Sequence, residues 1–240
     1  MTALGRIAAL LPLWLVLALV LPAPAVGGPP FLTDDPEPVE PRHWEFYLAS
    51  QWQVDRQGSG GTLPHLELNY GARPGLQLHA LLPATLTNGN GEGRAYGIDD
   101  VELGAKLRFA REEGRWPQVG IFPILDLATG TGTNVTTLPV WLQKGSGPWL
   151  TYGGGGVQLA TGANQYFLGW LLQRQLREKL VVGAEAFFNR GFDGDGSQLR
   201  FNLGCVLDRS AHQHLLLSAG PATGGGAVGQ AYAGYLLTFP

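Results

Sequence analysis

From Val101 to Phe109 the sequence "VELGAKLRF" keeps two lists, with Val101, Leu103, Ala105, Leu107 and Phe109 alternating with Glu102, Gly104, Lys106 and Arg108. A side-chain period of two predicts a β-strand with one apolar and one charged face, and Asp100 extends the charged list. The same alternation starts at Arg42, where Trp44, Phe46, Leu48, Trp52 and Val54 oppose Glu45, Tyr47, Gln51 and Gln53. It recurs in "PHLELNYGA" and "LQLHALL", and further segments begin near Gly97, Gln118, Thr137, Pro148, Gln165, Lys179, Gln198, Gln213 and Gln230. Together they predict an all-β chain of about twelve antiparallel strands of ~9 to 11 residues, the length a tilted strand needs to cross a bilayer.

Alternation alone leaves the direction of the apolar list open: inward to a soluble core, or outward to lipid. The connections favour lipid. After even-numbered strands they are short ("ARP", "REEGR", "GSG", "LRE", "RSAH"), and after odd ones they tend to be longer and rich in Gly, Asn and Asp ("ATLTNGNGEGRAY", "NRGFDGDGS", "PATGGGAVG"). An up-and-down membrane barrel with two different mouths shows this asymmetry. Aromatic residues fall at strand ends, as an interfacial girdle requires: Trp44, Tyr70, Phe109, Trp149 and Phe239 at the short-turn mouth, Trp52, Tyr166, Phe188 and Phe201 at the other.

The N-terminus carries Arg6, an apolar run from Ile7 to Leu21 and Ala23-Pro24-Ala25, the pattern of a signal peptide cleaved near Ala25. The expected organisation is a signal peptide over 1–25, an extended Pro-rich segment over 26–41 and an outer-membrane barrel over 42–240. Within the Pro-rich segment, Thr33-Asp34-Asp35 reads as a solvated acidic linker, favoured by composition, as a group that meets a cation, or as a small plug in the barrel mouth. Cys205 is the single cysteine, so no internal disulfide forms. A formal charge of −3 without Lys/Arg clusters argues against nucleic acid as a partner.

At the C-terminus, Tyr232, Gly234, Leu237 and Phe239 follow the pattern of strands handed to the outer-membrane barrel assembly machinery, with Pro240 one residue beyond it. The stretches "PFLTDDPEPVEPRHWEFY", "GIDDVELGAKLRF", "LPVWLQKGSGPWLTYGGGG", "WLLQRQL", "NLGCVLD" and "HQHLLLSAG" occur in that order. In them the chain resembles the outer-membrane barrel family of the MetA pathway of phenol degradation. The resemblance implies an outer-membrane pore or transporter for small compounds, apolar or aromatic ones among them.

No enzyme is expected, because no nucleophile and base lie in reach; His214 and Ser218 share a face but are too far apart on one extended strand. The turn "ARP" places Glu67 opposite His79 and Asn69 opposite Gln77, either a hydrogen-bonded pair filling the lumen or a permeant or metal site. The run Gly153 to Gly156 marks a bend or a place where a plug or ligand nears the wall. No metal or other cofactor is expected. The candidate lumen-lining residues are Glu45, Glu67, His79, Asp100, Glu102, Lys106, Arg108, Glu185, Arg200 and Asn202, a mixed set without strong ion selectivity. The expected function is a passive pore in the cell outer membrane, with outer-membrane lipid around it. A sealed structural barrel, or a soluble periplasmic β-barrel holding an apolar ligand, are the alternatives.

Overall fold

A computed structural model of the protein describes residues 28–89, 93–130, 132–194 and 196–240; the expected signal peptide lies outside them. The strands are β1 (Trp44–Asp55), β2 (Gly58–Arg73), β3 (Leu76–Gly89), β4 (Gly93–Ile98), β5 (Val101–Ala110), β6 (Gln118–Ile121) and β7 (Ile124–Leu127), then β8 (Val135–Ser146), β9 (Trp149–Ala160), β10 (Gln165–Arg177), β11 (Leu180–Gly191), β12 (Gln198–Ser210), β13 (Gln213–Thr223) and β14 (Ala227–Phe239). Neighbours pair antiparallel in one sheet, which closes where β14 meets β1. These segments fill twelve wall positions. β4 and β5 follow one another along β3, and β6 and β7 follow one another between β5 and β8.

Both interruptions have a local cause. Ala84 pairs with Ile98 and Leu81 with Glu102, so three residues of one strand face two of the other. That bulge sits opposite Pro83, which has no N–H for the ladder; Asp99 N donates to the Pro83 carbonyl at 3.0 Å. Between β6 and β7, Pro123 removes a second ladder donor, yet the register on both sides continues unchanged.

The alternating lists are resolved in favour of lipid. Leu48, Leu68, Leu78, Leu103, Leu138, Leu168, Trp170, Leu172 and Leu203 point outward and are exposed. Their inward neighbours Tyr47, Glu67, His79, Gln173, Glu185 and Asn202 are buried. A continuous apolar band of this size is compatible with hydrocarbon and not with water, which removes the soluble barrel with an apolar interior. Trp44 packs against Tyr70 with ring centroids 4.3 Å apart and tilted by 33°, and pairs with Phe239, so the girdle at the short-turn mouth forms as the strand ends predict. Cys205 lies on the outer list between Leu203 and Leu207.

Two expectations about connections change. The connection after the first strand is not long, because Ser59, Gly60, Gly61 and Thr62 pair with Val54, Gln53, Trp52 and Gln51 and leave only Arg56 and Gln57 between β1 and β2. Most of the expected loop "ATLTNGNGEGRAY" is strand, lying in β3 and β4, which pair with each other. The difference between the mouths is therefore carried partly by longer hairpins. In addition, the turn between β2 and β3 is centred on Pro74-Gly75, with Gly75 at φ 82°, and a bulge lies between Gly71 and Arg73. Asn69, not Glu67, consequently stands opposite His79, and Gln77 opposite Gly71.

The interior is a packed core rather than an evenly polar channel. Tyr47, Ala49, Val206, Leu216, Tyr232 and Leu236 form one buried cluster on the inner wall. Phe122, Trp141 and Phe167 form a second, and Tyr152 and Leu171 pack with Phe31 in a third. Phe31 is not a wall residue.

Candidate functional site: a plugged lumen

Residues 28–39 run inside the barrel, and 40–43 are exposed where the segment joins β1. Phe31, Thr33 and Asp35 are 7%, 0% and 1% exposed, so the solvated-linker reading is overturned and the segment is a plug. The composition that suggested a linker explains how an irregular chain survives burial. Pro29, Pro30, Pro36, Pro38 and Pro41 have no N–H to satisfy, and of the others Phe31, Asp35, Glu37 and His43 donate within the segment while the wall accepts from three more. Thr33 N donates to Glu185 Oε1 at 2.5 Å, Val39 N to Gln77 Oε1 at 3.0 Å and Arg42 N to the Gly71 carbonyl at 2.6 Å. Ser218 Oγ donates to the Pro30 carbonyl at 2.5 Å. The plug thus reaches from β2 and β3 across to β11 and β13.

Charge fixes its middle. Lys106 Nζ lies 2.9 Å from Asp34 Oδ1 and 3.5 Å from Asp35 Oδ1, over the face of Phe122. Arg108 pairs with Glu37, whose second oxygen accepts from Gln118 Nε2 at 2.6 Å. Alternation carries Lys106 and Arg108 to the inner face of β5, and the acidic "DDPE" run meets them there.

The wall is carved to admit the plug. A Cβ at Gly71 would stand 1.9 Å from the Glu40 carbonyl oxygen, at Gly169 2.3 Å from Thr33 Oγ1, and at Gly183 or Gly204 2.8 Å from the Phe31 ring. These glycines mark where the plug lies. The run Gly153 to Gly156, singled out in the sequence, instead makes room for Trp170, Trp141 and Leu168 and for neighbouring strand backbone.

The other candidates fall into separate groups. His79 Nδ1 lies 2.7 Å from Asn69 Oδ1 and its Nε2 2.8 Å from Glu102 Oε1, while Asn69 Nδ2 donates to Glu67 Oε1 at 2.8 Å. Glu67 still reaches His79 diagonally at 3.6 Å, and among the described residues no group of His, Cys, Asp and Glu side chains is arranged to hold a metal ion. Tyr47 OH donates to Glu45 Oε2 at 3.0 Å, and Asn202 Nδ2 to Glu185 Oε2 at 2.5 Å. Asp100 sits at the rim beyond the β5 ladder, where Oδ1 accepts from Thr129 N at 3.1 Å. Arg200 belongs to a belt that sequence reading missed. Gln158 Nε2 donates to Thr137 Oγ1 at 3.2 Å, Gln165 bonds Gln158, Asn189 Nδ2 donates to Gln165 Oε1 at 2.9 Å, and Arg200 Nη1 to Asn189 Oδ1 at 2.7 Å. The belt joins β8 through β12. Its sequence signal is an inward amide near the loop-mouth end of each of β9, β10 and β11.

The chain has the fold of outer-membrane β-barrels. It is similar to the COG4313 outer membrane channel from Pseudomonas putida F1, at 15% identity and a TM-score of 0.68, over 85% of this chain and 98% of that one. The KdgM porin superposes with a TM-score of 0.60 at 10% identity, over 82% of this chain and 99% of the porin. The translocator domain of the autotransporter NalP from Neisseria meningitidis follows at 0.57 and 13% identity, over 82% of this chain and 88% of the domain. No family model and no curated protein matches the chain.

Proposed function

We propose that the protein is an outer-membrane pore for small polar solutes, held closed by its own residues 28–39. The observation that supports this reading is the nature of the obstruction: a separate segment, bonded to the wall by side chains and outside the strand ladder. Such a segment can leave while the twelve-strand wall stays intact. Toward the loop mouth the inner wall carries Thr137, Gln158, Gln165, Asn189 and Arg200, a lining that suits hydrated solutes better than the apolar or aromatic compounds the family resemblance implies. The similarity to a channel and a porin is consistent with passage. In the same reading both termini face the periplasm, the signal peptide is removed, and β14 is the element offered to the barrel assembly machinery.

The inner cluster of Tyr47, Val206, Leu216, Tyr232 and Leu236 favours a second reading, a sealed structural barrel in which wall side chains close what the plug leaves. Planar-bilayer recording separates the two. The full chain is expected to be mostly closed, and a variant lacking Phe31 to Pro41 to conduct steadily. An impermeable deletion variant that still shows heat-modifiable migration on gels would establish the sealed barrel.

A further inference from the structure

We infer that Arg200 and the cleft beside it form a recognition site for the carboxylate of a small hydroxylated acid, on the loop-mouth side of the plug. The cleft is bounded by Gln198 and Arg200 of β12 on one side and by Gln53, Asp55 and Gln230 of β1 and β14 on the other. Between them β13 presents only small residues, with Gly220 opposite Gln230 and Ala222 opposite Arg200. Without a side chain of any length on that strand, the two polar walls are separated by a trough.

Arg200 is held rather than neutralised. Nη1 donates to Asn189 Oδ1 at 2.7 Å and Nη2 donates to Gln198 Oε1, both uncharged acceptors. Two of five N–H groups are used by these bonds, so three are left for a ligand. The described residues contain no salt bridge to Arg200, in contrast to Lys106 and Arg108, which are paired with the plug. The nearby acids are engaged elsewhere: Asp55 Oδ1 accepts from Gln57 N at 2.6 Å and Gly58 N at 2.7 Å, and Glu185 bonds Thr33 and Asn202. Across the trough, Gln230 Oε1 is buried with no partner.

A planar guanidinium clamped by amides, with free donors beside an unused amide oxygen, matches a ligand carrying a carboxylate next to hydroxyl groups. The carboxylate takes the fork of Arg200, and an adjacent hydroxyl donates to Gln230 Oε1. Hydroxyl groups further along can exchange hydrogen bonds with the amide belt. This deepens the pore reading by naming a solute class, but binding does not depend on conduction, because the cleft lies outside the plug.

The test uses the full chain in detergent micelles and isothermal titration with gluconate, with sorbitol as the polyol that lacks the carboxylate. Gluconate is expected to bind at least tenfold more tightly than sorbitol, and Arg200→Gln to remove that preference. Arg209→Gln, an exposed arginine at the opposite mouth, should leave binding unchanged. Arg200→Lys keeps the charge without the fork and should bind gluconate severalfold more weakly than the wild type, which provides a readout if Arg200→Gln misfolds. Absence of gluconate binding, equal binding of sorbitol, or undiminished affinity in a folded Arg200 variant overturns the site. Binding in a protein whose plug-deleted form never conducts would overturn the pore and leave the site standing.

Discussion

Lys106 Nζ of the wall stands 2.9 Å from Asp34 Oδ1 of the plug, with Asp35 Oδ1 0.6 Å farther away at 3.5 Å. One wall cation therefore holds two adjacent plug carboxylates. Removing one member of a buried ion pair costs about 3 to 5 kcal/mol, most of it from the charge left without a partner. Lys106→Met leaves two carboxylates unpaired inside the barrel and is expected to shift the plug toward its released state. The check is single-channel open probability, which should rise by at least tenfold; an unchanged open probability means that this contact does not hold the closed state.

Glycine positions test the plug without touching a charge. Gly169→Val places side-chain atoms where Thr33 Oγ1 now lies 2.3 Å from the virtual Cβ, while the outer face of β10 is unchanged. The variant should insert and migrate as a folded barrel, yet expose the plug. In a Cys205→Ala background, a cysteine substituted for Phe31 should react slowly with a water-soluble maleimide, and at least tenfold faster once Gly169→Val is added. Equal rates would mean that the segment is already accessible.

Phe31 packs against Tyr152 and Leu171 in the third interior cluster. Truncating a buried Phe to Ala costs about 3 to 5 kcal/mol, and here the loss falls on the seated plug rather than on the ladder. Phe31→Ala should therefore raise conductance while leaving the temperature of barrel unfolding on gels nearly unchanged. A large fall in that temperature would show that plug and wall unfold as one unit.

Leu103 is 45% exposed on the outer face, and its neighbour Glu102 faces inward to His79. Leu103→Arg is expected to destabilise the inserted barrel by about 2 to 4 kcal/mol, the usual cost of a basic side chain near the middle of the bilayer. A spin label at position 103 should be relaxed by oxygen dissolved in lipid and hidden from a water-soluble relaxant. Finding it equally exposed to water would overturn the assignment of the two lists.

The period of two in "VELGAKLRF" determined strands, an inner and an outer list, and the placement of Lys106 and Arg108 on one face, because backbone pleating sets that period without help from the rest of the chain. Chain order and connection length determined an up-and-down barrel, and aromatic spacing determined its girdle. Pairing was less accessible to sequence. The bulges near Arg73 and Pro83 move the register by single residues, and such a step depends on which turn and which lost N–H the whole sheet accommodates. Local reasoning offered the plug only as the less favoured reading of its segment. "PPFLTDDPEP" has the composition of a solvated linker, and only closure of the barrel brings Gly71, Gly169, Gly183 and Gly204 from separate strands to make room for it. Its carboxylates are stable there because Lys106 and Arg108, more than 70 residues away in sequence, turn inward at the same place.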